Sequence, residues 1–221
     1  MAQINEDHDQ GTITSIFQIL KTCATELPDT SLSPYVGMPF HSLIVCLLST
    51  RTREEKTSLC ATRLFLLADN PYAMSGLSRD EIREAIIDCA FYNSKTEQIV
   101  KVCKQIINNE GKVPSNKDKL LSFEGVGPKI AILTLANGYG YTEDIGIDTH
   151  VIRMSRRLGI LDDAIKSMPK IQYELQANIP KEYWYDCNNI MVRFGREVCT
   201  PRKPKCEICP IYGYCPSKGT E

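Results

Sequence analysis

Apolar residues recur three and four positions apart along most of the chain, which is the spacing of helices with one buried face. The pattern predicts helices over the following ranges, with one more beginning at Ser78: Thr12–Ala24, Pro39–Leu48, Arg53–Leu67, Lys95–Asn109, Pro128–Ala136, Thr149–Leu158, Ile165–Ala177 and Tyr183–Phe194. Alternating strand patterns, and hairpins between such strands, are absent. We therefore predict an all-α fold of about nine or ten helices.

Two loop-rich junctions, near residues 28–37 and 139–147, are the predicted boundaries between domains. They divide the chain into a helical barrel domain at 32–142 and a second helical domain formed by 1–31 together with 143–221. No run of about 18 apolar residues indicates a membrane span. Residues 1–30 also lack the basic and apolar regions of a secretory signal. We therefore expect an intracellular protein that does not bind a membrane.

The formal net charge of −1 hides a difference between two parts of the chain. Residues 150–221 hold 12 lysine and arginine residues against 8 acidic ones, whereas residues 1–149 hold 14 against 19. A local excess of cations suits a protein with one face that meets a polyanion. The composition therefore leaves nucleic acid as a plausible partner for the C-terminal third.

Four cysteines near the C-terminus have the spacing Cys-x6-Cys-x2-Cys-x5-Cys: Cys199, Cys206, Cys209 and Cys215. Such a set of thiolates can chelate a soft metal or a cluster. The spacing alone leaves a [4Fe–4S] cluster, zinc, and disulfides or free thiols as alternatives, although a reducing compartment disfavours disulfides. The other six cysteines lie in apolar stretches and are expected to be core residues: Cys23, Cys46, Cys60, Cys89, Cys103 and Cys187.

The segment between the first two of these four cysteines is basic and stiff. It reads Thr-Pro-Arg-Lys-Pro-Lys and contains Arg202, Lys203 and Lys205. Two prolines, and metal ligands at both ends, would hold the three cations in one arrangement. We expect this segment to contact a phosphate backbone.

A glycine-rich turn joins two apolar helices within the segment 120–131. Gly125 and Gly127 flank Val126, an apolar anchor, and Pro128 suits the first turn of the next helix. The backbone N–H groups of such a turn point outward at a helix N-terminus and can bind a phosphate without a charged side chain. An ordinary turn between helices is the alternative, but the apolar helices on both sides favour a helix-hairpin-helix.

Three features in this order resemble the endonuclease III family of helix-hairpin-helix DNA glycosylases: the hairpin with Lys129, the segment 145–151 with Asp148, and the terminal cysteine spacing. The segments 47–52 and 91–95 also look like family segments. The resemblance covers about residues 15–217. It implies two helical domains with a DNA-binding cleft between them, and a [4Fe–4S] cluster on the four cysteines.

The resemblance implies that Lys129 and Asp148 carry the chemistry of a bifunctional DNA glycosylase and abasic-site lyase. Its substrate would be double-stranded DNA with an abasic site or an oxidised pyrimidine, such as thymine glycol or a 5-hydroxypyrimidine. Neutral Lys129 would attack C1′, Asp148 would accept a proton or stabilise the cationic sugar, and β-elimination would cut 3′ to the abasic site. Outside this context, Lys129 would be a surface charge and Asp148 an N-cap, a role compatible with catalysis.

An enzyme that flips a base out of the duplex must also fill the gap. We expect Arg51 to fill it and Phe91 to wedge the stack open, although the family commonly has glutamine and an aliphatic residue there. The alternatives are an exposed charge at a helix start for Arg51 and core packing for Phe91. His150 is expected to brace the active-site loop beside the DNA. Glu124 replaces the usual proline and should weaken phosphate binding at the turn.

Three other interpretations are weighed against the lyase. A mismatch or adenine glycosylase of the same superfamily would only excise the base, and such enzymes generally lack a lysine at the position of Lys129. A non-catalytic DNA-binding module would need neither Lys129 nor Asp148. A zinc-stabilised scaffold would be colourless, whereas an iron–sulfur protein is yellow-brown. We expect a monomer that acts on DNA inside the cell.

Overall fold

The computed structural model describes residues 9–141 and 143–219, and every regular element in these residues is helical. The absence of strands from these ranges confirms the predicted all-α class. The described residues form two compact units, one of residues 30–141 and one of residues 9–29 with 143–219. No helix in either described range is long and apolar enough to span a bilayer.

The α-helices of the described residues are numbered in chain order. They are α1 (Gln10–Ala24), α2 (Pro39–Ser49), α3 (Glu54–Leu67), α4 (Pro71–Gly76), α5 (Arg79–Ala85), α6 (Tyr92–Asn108), α7 (Lys117–Leu121), α8 (Pro128–Tyr139), α9 (Thr149–Arg157), α10 (Met168–Asn178) and α11 (Trp184–Glu197). Short 3₁₀ helices at Ser33–Tyr35, Lys181–Tyr183, Cys206–Ile208 and Tyr212–Tyr214 complete the set.

The unit of residues 30–141 is built around α2, in which every residue from Ser42 to Leu48 is buried. Helix α8 packs along α2 more extensively than any other pair of elements in the described chain. The two backbones approach closely because Gly138 has no side chain, and a Cβ there would lie 2.7 Å from Pro39 Cα. Close-packed helices of this kind allow little movement. The start of α8, which carries Lys129, is therefore fixed by the core.

Short helices in this unit begin at side-chain caps. Asn70 caps α4 by accepting the backbone N–H groups of Tyr72 and Ala73 at 3.1 and 2.9 Å. Ser78 and Glu81 form a capping box at the start of α5, which confirms the predicted helix start. Helices α4 and α7 were not predicted, because five or six residues are too few to show helical periodicity.

The second unit packs α1, α9, α10 and α11 around a separate core. The predicted stripe of α1 is buried at Ile13, Ile16, Phe17 and Leu20. Beyond α11 the described chain has only three-residue 3₁₀ helices and turns. This C-terminal part thus has few backbone hydrogen bonds of its own, and other contacts must hold its shape.

Most helix bounds lie within three residues of the prediction. Helix α6 begins at Tyr92, three residues earlier than expected, and α10 begins at Met168, three residues later, with a proline in its first turn. All of the six scattered cysteines except half-buried Cys23 are buried, as expected: Cys46, Cys60, Cys89, Cys103 and Cys187.

Candidate active site and nucleic-acid interface

The turn between α7 and α8 has the geometry of an anion-binding hairpin. Gly125 has φ +85°, a left-handed conformation that glycine adopts without strain. Val126 is buried beneath the turn, as predicted for an apolar anchor. Gly127 is the N-cap of α8 and Pro128 follows it. The N–H groups of Lys129 and Ile130 have no partner inside the helix and are available to an anion.

Helix α6 holds this turn from one side. The side-chain amide of Gln98 donates to the carbonyl oxygen of Gly125. A Cβ added at Gly125 would collide with the Gln98 side chain. Gln105 accepts the backbone N–H of Glu124 at 3.1 Å. Both contacts fix the backbone that the proposed phosphate would meet.

Glu124 is less unfavourable for phosphate binding than the sequence suggested. Its carboxylate forms an ion pair with Lys101 on α6. Both side chains are at least half-exposed, so the pair contributes little to stability. It does neutralise the charge beside the turn, however, because a lysine within bonding distance cancels most of the carboxylate field in water. The expected loss of affinity is therefore smaller.

Lys129 is the second residue of α8, and its side chain is half-buried. It interacts electrostatically with Cys46, a buried residue of α2. Burial raises the pKa of the Cys46 thiol to about 12, and the positive charge of Lys129 acts in the opposite direction. The amine therefore lies within electrostatic range of the core of its own unit, unlike the fully solvated surface lysine of the alternative interpretation.

Asp148 is the N-cap of α9. Its Oδ1 accepts the backbone N–H groups of His150 and Val151 at 2.8 and 2.9 Å. No hydrogen bond to Oδ2 occurs among the described residues. The cap fixes the direction of the carboxylate, so one oxygen anchors the helix and the other is available for chemistry.

His150 packs at the start of α9 against two neighbours. Its Nδ1 lies 3.2 Å from Nη2 of Arg153, which also donates to the carbonyl oxygen of Gly195 at 2.8 Å. A Cβ at Gly195 would collide with both side chains. These contacts are consistent with the expected bracing role of His150, and they join the start of α9 to the end of α11.

The four C-terminal cysteines line one pocket, which has a largely apolar wall. Burial raises the pKa of the Cys209 and Cys215 thiols, and the charge of Arg157 lowers the pKa of Cys215. Nη1 of Arg157 lies 3.2 Å from Sγ of Cys199. A cation beside the sulfurs favours their deprotonated, ligating form.

The arrangement fits a cluster better than a single zinc ion. One zinc ion holds its thiolates about 2.3 Å away, so the four sulfurs must be almost in contact. Within residues 9–141 and 143–219, no three histidine, cysteine or carboxylate side chains are placed to hold one metal ion. A [4Fe–4S] cluster takes the same four thiolates further apart around a larger centre, in an apolar shell that limits access of water.

The basic segment before Cys206 is exposed and anchored at its ends. The side chains of Arg202, Lys203 and Lys205 all face solvent. The backbone N–H of Lys205 donates to the carbonyl oxygen of Val198 at 2.9 Å. Arg157 donates to the carbonyl oxygens that precede the cations, at 2.7 and 3.0 Å from Thr200 and Pro201. The backbone is thereby held while the charges remain available.

Arg51 and Phe91 are exposed neighbours. Phe91 is 61% exposed, which excludes the alternative of core packing. The guanidinium carbon of Arg51 lies 5.6 Å from the centre of the Phe91 ring, within the range of a cation–π contact. The two residues have φ of 53° and 58°, a left-handed conformation that costs side-chain-bearing residues about 1 kcal/mol or more.

The sequence pattern did not single out the residues that support these sites. Gln98 and Gln105 bond to the turn across 27 and 19 positions, and Arg157 reaches Cys199 across 42. Their only signal in the sequence is helical spacing, which places Gln98, Lys101 and Gln105 on one face of α6.

Two family models match this chain, and the first of them extends across the boundary between the two units. Residues 44–181 match the family model of the HhH-GPD superfamily base excision DNA repair protein, and residues 199–215 match the iron–sulfur binding domain of endonuclease III. Endonuclease III of Haemophilus influenzae is 30% identical over 93% of this chain and 96% of its own.

Two solved structures have a similar fold along most of the chain. A non-covalent endonuclease III–DNA complex aligns with a TM-score of 0.83 and 27% identity, over 96% of this chain and 97% of that one. A trapped endonuclease III–DNA covalent intermediate aligns with a TM-score of 0.82 and the same identity and coverage. The similarity thus extends to relatives seen bound to DNA.

Proposed function

The chain belongs to the endonuclease III family of HhH-GPD base excision repair proteins, and from this premise we propose that it removes oxidised pyrimidines from double-stranded DNA through Lys129. It is a DNA glycosylase and abasic-site lyase that carries a [4Fe–4S] cluster. The proposed lesions are thymine glycol and 5-hydroxypyrimidines. The proposal rests on the position of Lys129, half-buried directly after a turn whose N–H groups suit a phosphate.

Lys129 is the proposed nucleophile. Its neutral amine attacks C1′, the bond from C1′ to the base breaks, and the base leaves with the electron pair and gains a proton. The C1′–O4′ bond then opens as the amine loses its protons and forms an imine, and O4′ is protonated. The imine acidifies the 2′ position, so loss of a 2′ proton breaks the C3′–O3′ bond. Water hydrolyses the imine and restores Lys129.

Asp148 is the proposed partner of this lysine. While the base departs, the sugar carries positive charge, and a fixed carboxylate stabilises it or accepts a proton. The cap bonds to Oδ1 support this role, because they hold the carboxylate in one orientation before the substrate arrives. His150 helps to hold the start of α9, which Asp148 caps, through its contact with Arg153.

Two backbone-contacting surfaces are proposed. Gly125, Val126 and Gly127 would bind one phosphate through the N–H groups at the start of α8. The exposed cations of the C-terminal basic segment would neutralise others: Arg202, Lys203 and Lys205. Such contacts position the protein without reading sequence, which suits an enzyme that must find a rare lesion anywhere.

Arg51 and Phe91 are proposed to enter the base stack. The aromatic ring can stack between bases, and the guanidinium can donate to the base that has lost its partner. Their exposure and mutual contact support this role. Neither residue needs to take part in bond breaking.

Cys199, Cys206, Cys209 and Cys215 would hold the cluster as thiolates. The cluster supplies a structural centre that orders the basic segment, and no redox step is required by the proposed reaction. The partner is double-stranded DNA with an oxidised base or an abasic site. We propose that the protein acts as a monomer inside the cell, together with DNA.

Borohydride trapping tests this function. The protein is incubated with a duplex containing one thymine glycol, with and without borohydride, which reduces an imine to a stable amine. We expect a covalent protein–DNA adduct in the native protein and none in Lys129→Ala. Lys104→Ala, which removes an exposed lysine from α6, is the matched control and should retain the adduct.

Each other outcome has a definite meaning. Base loss without an adduct would show a single-function glycosylase and would refute the role of Lys129 as nucleophile. An adduct that persists in Lys129→Ala would assign the imine to another amine. Binding without base loss or adduct would contradict thymine glycol as a substrate.

A further inference from the structure

Lys95 is a buried lysine that no step of the proposed reaction uses. It lies in the first turn of α6, and only 3% of its surface is exposed. The ammonium donates to the carbonyl oxygens of Leu48 and Thr50 at 2.6 and 2.8 Å, and to Oγ1 of Thr52 at 2.7 Å. A buried ammonium has three protons to satisfy. All three acceptors come from one short segment, residues 48–52.

The same segment is linked to the chain that precedes α6. Oγ1 of Thr52 also accepts the backbone N–H of Ala90, at 3.1 Å. The carbonyl oxygen of Phe91, the next residue, accepts the backbone N–H of Lys95 at 3.0 Å. The side chains of Lys95 and Thr52 thus join residues 48–52 to residues 90–91, two segments 38 positions apart.

Each of the joined segments presents one exposed side chain from a left-handed residue. These are Arg51 and Phe91, which contact each other at the surface. Bulky residues rarely adopt this conformation, and it persists only where the surroundings leave no alternative. Hydrogen bonds from Lys95 hold the carbonyl groups of Leu48 and Thr50 before Arg51 and the hydroxyl of Thr52 after it, and so supply that constraint.

We propose that Lys95 is a positioning residue for base extrusion, which holds Arg51 and Phe91 together as one preformed wedge. The inference rests on the proposed function, in which these two side chains enter the DNA. A wedge that is already ordered loses little conformational entropy when it enters the DNA. Two loose segments would have to be ordered during insertion, which costs free energy. Lys95 touches neither the substrate nor the reacting atoms, so its loss should slow extrusion more than cleavage.

The test replaces Lys95 with methionine, an unbranched side chain only one atom shorter, which removes the three hydrogen bonds. Ile106→Ala is the matched control for lost stability, because Ile106 is fully buried near the other end of α6. Lys104→Met controls for the loss of a lysine from the same helix. Thr52→Val removes one acceptor of Lys95 and the acceptor of Ala90, and it serves as the milder variant if Lys95→Met does not fold.

Two rates and one signal are compared in single-turnover experiments. They are base excision at thymine glycol, strand cleavage at a preformed abasic site, and the fluorescence of 2-aminopurine beside the lesion, which rises when the stack opens. We expect Lys95→Met to excise the base about tenfold more slowly with a weaker fluorescence rise, and to cleave the abasic site within about threefold of the native rate. The two controls should leave the ratio of rates unchanged.

Hydrogen exchange of backbone amides separates this inference from the proposed function. In Lys95→Met, the amides of residues 49–53 and 89–92 should exchange faster, while those of residues 123–127 should not change. If the native protein excises no oxidised pyrimidine, the proposed function fails, and exchange alone decides whether Lys95 holds the wedge. Unchanged exchange would overturn the inference. Faster exchange with an unchanged ratio of rates in an active enzyme would also overturn it, because Lys95 would then be merely structural.

Discussion

The turn at residues 123–127 and the basic segment at residues 200–205 are both proposed to contact the DNA backbone, but they are held by different means. The turn lies between two helices, its valine is buried, and side chains of α6 bond to its backbone. The basic segment follows the last α-helix of the described chain, and its fixed points are carbonyl groups bound by Arg157 and a cysteine at each end.

The difference illustrates two ways in which a chain can hold a segment rigid for the proposed phosphate contact. In the turn, the donors are backbone N–H groups, so the geometry of the helix start is itself the binding site. In the basic segment, the donors are flexible side chains, and their backbone is held by Arg157 and by a cysteine at each end that would bind the cluster. The turn should therefore survive changes that destroy the segment. The predictions below test that independence, from the largest expected effect to the smallest.

Loss of one cluster ligand should have the largest effect. Cys209→Ser leaves three thiolates, and we expect loss of the visible iron–sulfur absorbance and at least a hundredfold fall in lesion excision, because the basic segment loses its support. Absorption spectroscopy and single-turnover kinetics measure both. Cys103→Ser, a change at a buried cysteine of α6, is the control and should keep the absorbance. A colourless but fully active Cys209→Ser protein would show that lesion excision does not depend on the cluster.

Substitution in the turn should have a smaller and separate effect. Gly125→Ala places a Cβ at φ +85° against Gln98, which should cost about 1–2 kcal/mol in the turn. We expect about tenfold weaker binding to DNA, with the iron–sulfur absorbance unchanged. Fluorescence anisotropy with a labelled abasic duplex gives the affinity. A loss of iron in this variant would show that the two regions are not independent.

Arg51→Gln should change preference rather than affinity. A guanidinium only donates, and it pairs well with guanine O6 and N7, whereas an amide both donates and accepts and pairs well with adenine. We expect the ratio of excision rates opposite guanine to those opposite adenine to fall about fivefold, since one good pair contributes about 1 kcal/mol or more. Paired duplexes with thymine glycol opposite each base give the ratio. An unchanged ratio would exclude contact between this side chain and the unpaired base.

Acid should weaken the unit of residues 30–141 through Asp88. Hydrogen bonds from Lys56 and Arg63 hold the pKa of Asp88 below its ordinary value. The carboxylate therefore contributes stability that is present above its ordinary pKa and is lost as the pH falls through the lowered one. As the pH falls, the melting temperature of Asp88→Asn should decrease slightly less than that of the native protein. The melting temperature of Asp118→Asn, a change at an exposed residue, should decrease as much as that of the native protein. If the melting temperatures of Asp88→Asn and of the native protein depend identically on pH, then Asp88 makes no such contribution.

The long helices could be predicted because each buries one regular stripe of side chains. The capping box at Ser78 could also be predicted, since its two side chains lie three residues apart. Helices α4 and α7 are too short for a stripe, and what begins them is a cap: Asn70 and Asn116, respectively. A search for capping residues before proline or lysine would have found both.

The residues that are proposed to carry the chemistry stand in local motifs, whereas the residues that support them do not. The cysteine spacing, the glycine turn and the cap at Asp148 are each contained in a short stretch of sequence. Lys95 bonds to acceptors 43 to 47 positions away, and Lys101 neutralises Glu124 across 23. Such pairs depend on how helices pack, which hydrophobic periodicity does not specify.

Helix α6 also sets the distance between two parts of its unit that are proposed to meet DNA. Phe91 directly precedes its first residue, and Gln98 bonds to the turn at Gly125 further along. At about 1.5 Å per residue, these two points lie roughly 10 Å apart along the helix axis. Under the proposed function, this distance separates the opened base pair from the phosphate bound at the turn. One residue inserted between Phe91 and Gln98 would turn these two points by about 100° relative to each other, so the length of α6 is less free to change than its surface.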